Sequence, residues 1–97
     1  MDPSATQAWL LLGQARLDAN VAMGAEQAAL KTLEQEPKNG RARMLLASVY
    51  LVQTHGETDA ARLLRLREKA AAELKRYLEV EPKGTFAEEA RQLLAGP

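Results

Sequence analysis

This chain has almost nothing with which to build a β-sheet. Alanine and leucine fill 34 of its 97 positions, valine occurs four times and isoleucine is absent. Sheets need β-branched and aromatic side chains to pack their pleated faces, whereas alanine and leucine are strong helix formers. The expected fold class is therefore all-α. With one Trp, one Phe and two Tyr, its core must consist mainly of interlocking leucine and alanine. The length suits one domain and is too short for two independent cores. Apolar runs such as Ala8–Leu12 are far too short to cross a bilayer, so no integral membrane segment is expected.

Breakers divide the chain into five helical stretches. Asp2-Pro3-Ser4 opens the first, with Ser4 expected as its N-cap. This helix is expected to run to about Ala19, with Ala8, Leu11, Leu12, Ala15 and Ala19 as its core-facing stripe. A turn at Asn20-Val21 leads to a second helix over 22–35, which Glu36-Pro37-Lys38-Asn39-Gly40 stops. The third is expected over 41–54, ended by His55-Gly56, with glycine suited to a left-handed cap. Glu57 or Thr58 is expected to start a long fourth helix reaching Val80, with Asp59 near its positive end. Pro82-Lys83-Gly84 breaks the chain, and Thr85 is expected to cap a final helix over 86–94. Short connections predict antiparallel neighbours.

Pro3 and Pro37 stand 34 residues apart. Trp9-x2-Leu12-Gly13-x2-Arg16, Ala25-x3-Ala29, Thr32 and Pro37 form one pattern. Arg43-x2-Leu46-Ala47-x2-Tyr50, Ala70-x3-Leu74, Tyr77 and Pro82 form a second. In period and spacing the chain resembles the tetratricopeptide repeat (TPR) family. It departs from the family pattern at Arg16, Ala29 and Thr32, and Arg43 replaces the second tryptophan. The resemblance implies a right-handed superhelical segment of two helix hairpins, over 4–37 and 38–82, closed by a capping helix over 85–95. Gly13 and Ala47 would be small where two helices cross, answered by Ala25 and Ala70, with Trp9 and Tyr50 as wedges between hairpins.

The second unit is 11 residues longer than the first, close to three turns at ~3.6 residues per turn. Helix phase therefore survives the insertion, and Ala70, Leu74, Tyr77 and Leu78 stay on one face. The added turns carry Leu63, Leu64 and Leu66 beside Arg62, Arg65, Arg67 and Lys69. In the last helix Phe86, Ala87, Ala90, Leu93 and Leu94 are expected to pack, with Glu88-Glu89 and Arg91-Gln92 facing water, as a terminal cap requires.

Nothing in the sequence assembles a catalytic centre, and no enzyme activity, cofactor or metal is expected. There is no cysteine, one histidine (His55) and no Gly-x4-Gly-Lys-Ser/Thr run. Glu88 and Glu89 are adjacent, so they point about 100° apart on a helix. Thirteen basic and thirteen acidic side chains cancel, which argues against a nucleic-acid partner.

The expected function is protein–protein interaction. In TPR domains the first helix of each hairpin lines a concave groove. Carried onto this sequence, the resemblance places Gln7, Leu10, Gln14 and Leu17 there, followed by Arg41, Met44, Ser48 and Leu51. An apolar groove of this kind suits a partner's peptide or amphipathic helix. Leu10, Gln14 and Leu45 stand where a chaperone-tail carboxylate clamp would have lysine and asparagines, which speaks against that ligand. One alternative is a self-assembling scaffold that forms a homodimer through the groove or the long fourth helix. A second is docking of an acidic partner on the basic face of Arg62, Arg65, Arg67 and Lys69. The opening Ala-Trp-Leu-x-Leu-Gly and the lengthened hairpin resemble bacterial TPR subunits of c-type cytochrome assembly, which hold an apocytochrome tail in a groove. Asp2-Pro3 reads as the tail of a preceding unit, so the chain is expected to be a fragment of a larger bacterial protein. No basic n-region followed by an apolar stretch marks a signal peptide, and cytoplasm and periplasm both stay open.

Overall fold

The structure, a computed structural model, describes residues 3–96, with side chains from Ala5 onward. It contains α1 (Pro3–Asp18), α2 (Ala22–Gln35), α3 (Gly40–Gln53), α4 (Ala60–Val80) and α5 (Ala87–Ala95). All regular structure among the described residues is α-helical, as the residue supply dictates.

Three helix starts differ from expectation. Ser4 lies inside α1, which begins at Pro3; the side chain expected to cap lies outside those described. A proline in the first turn fits, because the amide it lacks has no partner inside a helix. α4 starts at Ala60, later than the expected Glu57 or Thr58, and Asp59 at its positive end caps it, its carboxylate accepting from the Ala61 amide at 3.0 Å. Glu57 acts one step earlier, accepting from the Asp59 amide and pairing with Arg62 at 3.1 Å. At α5 the N-cap is Phe86, not Thr85, and no side chain caps it. Instead the Phe86 amide donates to the buried Tyr77 hydroxyl at 2.9 Å. Asn39 caps α3 by accepting from the Ala42 amide. Between α1 and α2, Asn20 turns the chain with a positive φ of 66°, a conformation asparagine tolerates well.

Each helix packs on its chain neighbour, and α1 also reaches α3. One core cluster joins Leu10 of α1, Ala29 and Leu33 of α2, and Ala42, Leu45 and Leu46 of α3. A second joins Met44 and Ala47 of α3, Leu74 and Tyr77 of α4, and Ala87 and Ala90 of α5. Gly13 sits at a tight contact beside the first: a Cβ there would stand 2.6 Å from Leu45 Cδ2 and 3.1 Å from Ala28 Cβ. Ala47 and Ala70 are both buried. The expected inner face of α4 holds, with Ala70, Leu74 and Tyr77 buried and Leu78 half-buried. Leu66 is buried too, while Leu64 faces water. In α5, Leu93 lies exposed instead of packing.

Arg43, which occupies a tryptophan position in the repeat pattern, is tied down by polar contacts. Its Nη1 donates to Glu73 Oε2 at 3.0 Å and its Nη2 to the Pro37 carbonyl at 3.3 Å. Glu73 is buried and also accepts from Arg76 Nη1 at 2.6 Å.

The core-facing stripe of α1 is corrected by the structure. Ala8, Leu11, Leu12, Ala15 and Ala19 all lie exposed, and Leu11 retains 66% of its accessible surface. Thr6, Leu10 and Gly13 are the buried positions of α1, with Leu17 half-buried against the first cluster. The reason appears 34 residues later. Ala42, Leu45, Leu46 and Val49 of α3 occupy the same register as Ala8, Leu11, Leu12 and Ala15, and they are buried at 5% exposure or less. Three of these, Ala42, Leu45 and Leu46, pack with α1 and α2 in the first cluster. Among the described residues no helix precedes α1 to cover its equivalent stripe.

Candidate functional site

The 34-residue register also places side chains in rows across successive helices. Leu10 of α1 corresponds to Met44 of α3, and Gln14 to Ser48. The 45-residue spacing between Pro37 and Pro82 continues the rows into the C-terminal segment, from Arg41 to Phe86 and from Met44 to Glu89. These residues, together with Leu45, line one concavity of about 190 Å³ that crosses α1, α3 and α5. Leu10, Met44 and Leu45 are buried and form its floor. Gln14, Arg41 and Glu89 are exposed around it, and Ser48 is half-buried with its hydroxyl donating to the Met44 carbonyl.

Five of the eight residues expected in the groove are thus brought together: Leu10, Gln14, Arg41, Met44 and Ser48. Three are not. Gln7 lies exposed on α1 and does not line the concavity, and Leu17 is half-buried against the first core cluster. Leu51 lines a different cavity, between α3, α4 and α5. The floor leucine and methionine are also core residues, so an acidic substitution at Met44 would bury a charge and unfold the chain. Leu45, Phe86 and Glu89 were missed. Glu89 and Phe86 were detectable only by carrying the register into a third unit, where α5 takes the place that α3 holds in the second.

The basic face of α4 divides in two. Arg62, Arg65 and Lys69 line a polar cavity of about 310 Å³ together with Glu26, Tyr50, Gln53 and Leu66. Arg67 lies on another face of the helix and lines the cavity that contains Leu51. The cluster at Arg62 is also less cationic than its sequence: Glu57 pairs with Arg62, and the Lys69 amine sits 5.6 Å over the Tyr50 ring. Tyr50 has its phenol pushed up to about 12, first by burial and then by the negative charge and hydrogen bond of Glu26, with Glu73 adding and Arg76 opposing.

No group of three or more His, Cys, Asp or Glu gathers into a metal-binding arrangement among the described residues. No helix among them is long and apolar enough to cross a membrane. Compared with protein-family models, curated proteins and solved structures, the chain finds no match.

Proposed function

We propose that this chain is a protein-interaction module of tetratricopeptide type, which seats an apolar side chain of a partner's peptide or helix in the concavity across α1, α3 and α5. The observation that carries this reading is the composition of that concavity: a buried apolar floor of Leu10, Met44 and Leu45 inside a rim of Gln14, Arg41, Ser48 and Glu89. Apolar centres with polar rims are the anatomy of protein interfaces. A dry engineered cavity of about 150 Å³ holds a benzene, so 190 Å³ is room for one leucine- or phenylalanine-sized anchor. Arg41 and Glu89 offer opposite charges beside it and would fix the direction of the bound segment.

The test compares the chain with its Arg41→Glu/Glu89→Lys variant as baits for partner capture. Both positions are exposed, so the variant keeps its helical circular dichroism. Loss of a captured protein places binding in the concavity. Equal capture by both baits refutes it.

A second reading, self-assembly, is favoured by one observation, the uncovered Ala8, Leu11, Leu12 and Ala15 stripe of α1. It predicts a dimer in sedimentation that Leu11→Glu disperses.

A further inference from the structure

A second cavity is larger than the concave one. A space of about 570 Å³ opens between α3, α4 and α5, within the 300–1,000 Å³ range of small-molecule sites. Two small residues of α4, Ala70 and Ala71, and the C-terminal turn of α5 with Leu93, Leu94 and Gly96 line it. Ala70 and Leu74 are buried at its floor, and Leu51 and Leu94 are half-buried at its walls.

Its polar side chains are two, Arg67 and Gln92, both exposed at the edge. Arg67 is the informative one. Its helical neighbours three and four residues away are Leu63, Leu64, Ala70 and Ala71, so no carboxylate can pair with it along α4. Arg43, Arg62, Arg76 and Arg91 each pair with a glutamate; Arg67, like Arg41 and Arg65, has no ion pair or side-chain hydrogen bond among the described residues. The other two cavities each contain a glutamate beside their cations, Glu89 and Glu26 respectively. This one contains none.

We propose that this cavity binds an alkyl carboxylate, with the chain lying on Ala70, Ala71 and Leu74 and the carboxylate on the Arg67 guanidinium. A guanidinium matches a carboxylate with two parallel hydrogen bonds. From Arg67 to Leu74 is about 10 Å along the helix, the span of a medium-length alkyl chain. A peptide fits less well. Each of its residues brings an amide and a carbonyl that need partners, and the lining offers only Gln92 and Arg67 to satisfy them. The site is separate from the concavity of the proposed function and does not depend on it.

Decanoate, below its micellar concentration, is titrated into the isotopically labelled chain and followed by amide chemical shifts. The expected result is saturable shifts at Ala70, Ala71 and residues 92–96. Arg67→Gln should weaken binding about two- to fivefold, and decanol, with the same chain and no charge, should be weaker by a similar factor. Ala71→Leu, filling a half-buried position, should abolish it. Should that variant fail to fold, Arg67→Gln on its exposed site still decides. Unsaturable shifts, equal affinity of decanol and decanoate, or equal affinity of Arg67→Gln would each overturn the proposal. So would saturation of this cavity by a peptide with an apolar C-terminus and not by decanoate.

Discussion

Removing Arg43 tests whether a charged pair has taken over the work of an aromatic wedge. The Arg43–Glu73 bond is 3.0 Å long, and the side chains are 21% and 6% exposed. Hydrogen bonds to a charged group contribute about 1.5–3 kcal/mol, whereas exposed ion pairs contribute about 0–1 kcal/mol. The mostly buried carboxylate puts this pair in the upper class. Arg43→Ala leaves Glu73 with Arg76 still 2.6 Å away, so the carboxylate is not abandoned and the loss stays near 2 kcal/mol. For a domain of this length that lowers Tm by roughly 8–16 °C, at about 4–8 °C per kcal/mol. Glu73→Ala removes both bonds and should cost about 3 kcal/mol. A double-mutant cycle of the two, read by urea unfolding with unchanged m-values, should give a coupling of about 1.5–2 kcal/mol. The same cycle for Arg76, whose side chain is 55% exposed, should give about 0.3–0.5 kcal/mol. A coupling below about 0.5 kcal/mol for Arg43–Glu73 would show that the pair behaves as a surface contact and that α3 and α4 are held together there by apolar packing alone.

Leu45→Ala should cost about 3–5 kcal/mol, while Leu11→Ala, in the same register one unit earlier, should stay within about 0.5 kcal/mol; equal losses would mean that α1 is covered after all. Gly13→Ala gains about 1 kcal/mol of helix propensity but drives a methyl into Leu45 and Ala28. Such overpacking costs about 1–3 kcal/mol, so a modest net loss in thermal unfolding is expected, and a stabilised variant would show that Leu45 has room to move. Above pH 10 the unfolded chain releases the Tyr50 proton while the folded chain keeps it up to about 12. The folded state then binds more protons, so stability falls as pH rises through this window. Tyr50→Phe should flatten that decline in chemical unfolding measured across it, and an unchanged slope would remove Tyr50 as its source.

Helix positions were legible because they follow from breakers: Pro37 and Pro82 follow the ends of α2 and α4, and the span of α2 matches its expected 22–35. The lining of the concavity across α1, α3 and α5 was legible at Leu10, Gln14, Arg41, Met44 and Ser48, where the repeat register carries over. The α1 stripe was misjudged for a physical reason. Ala8, Leu11, Leu12 and Ala15 are as apolar as their buried counterparts, and periodicity reports which residues share a face, never whether a neighbour covers it. The cavity at Arg67 was equally hidden. It lies between α4 and the C-terminal turn of α5, and no local pattern encodes a distance between helices.

The uncovered stripe also grades stability along the chain. The stripe of α3 is released only when its packing on α1 and α2 is broken, whereas the corresponding stripe of α1 has no packing to break. In stacked helical units, stability is a sum of intrinsic terms and nearest-neighbour couplings, and an element with fewer couplings opens at a lower free energy than the centre. Among the described residues, the end helices α1 and α5 are thus expected to loosen ahead of the centre, their amides exchanging with solvent while Leu46, Ala47 and Leu74 still hold α3 and α4 closed.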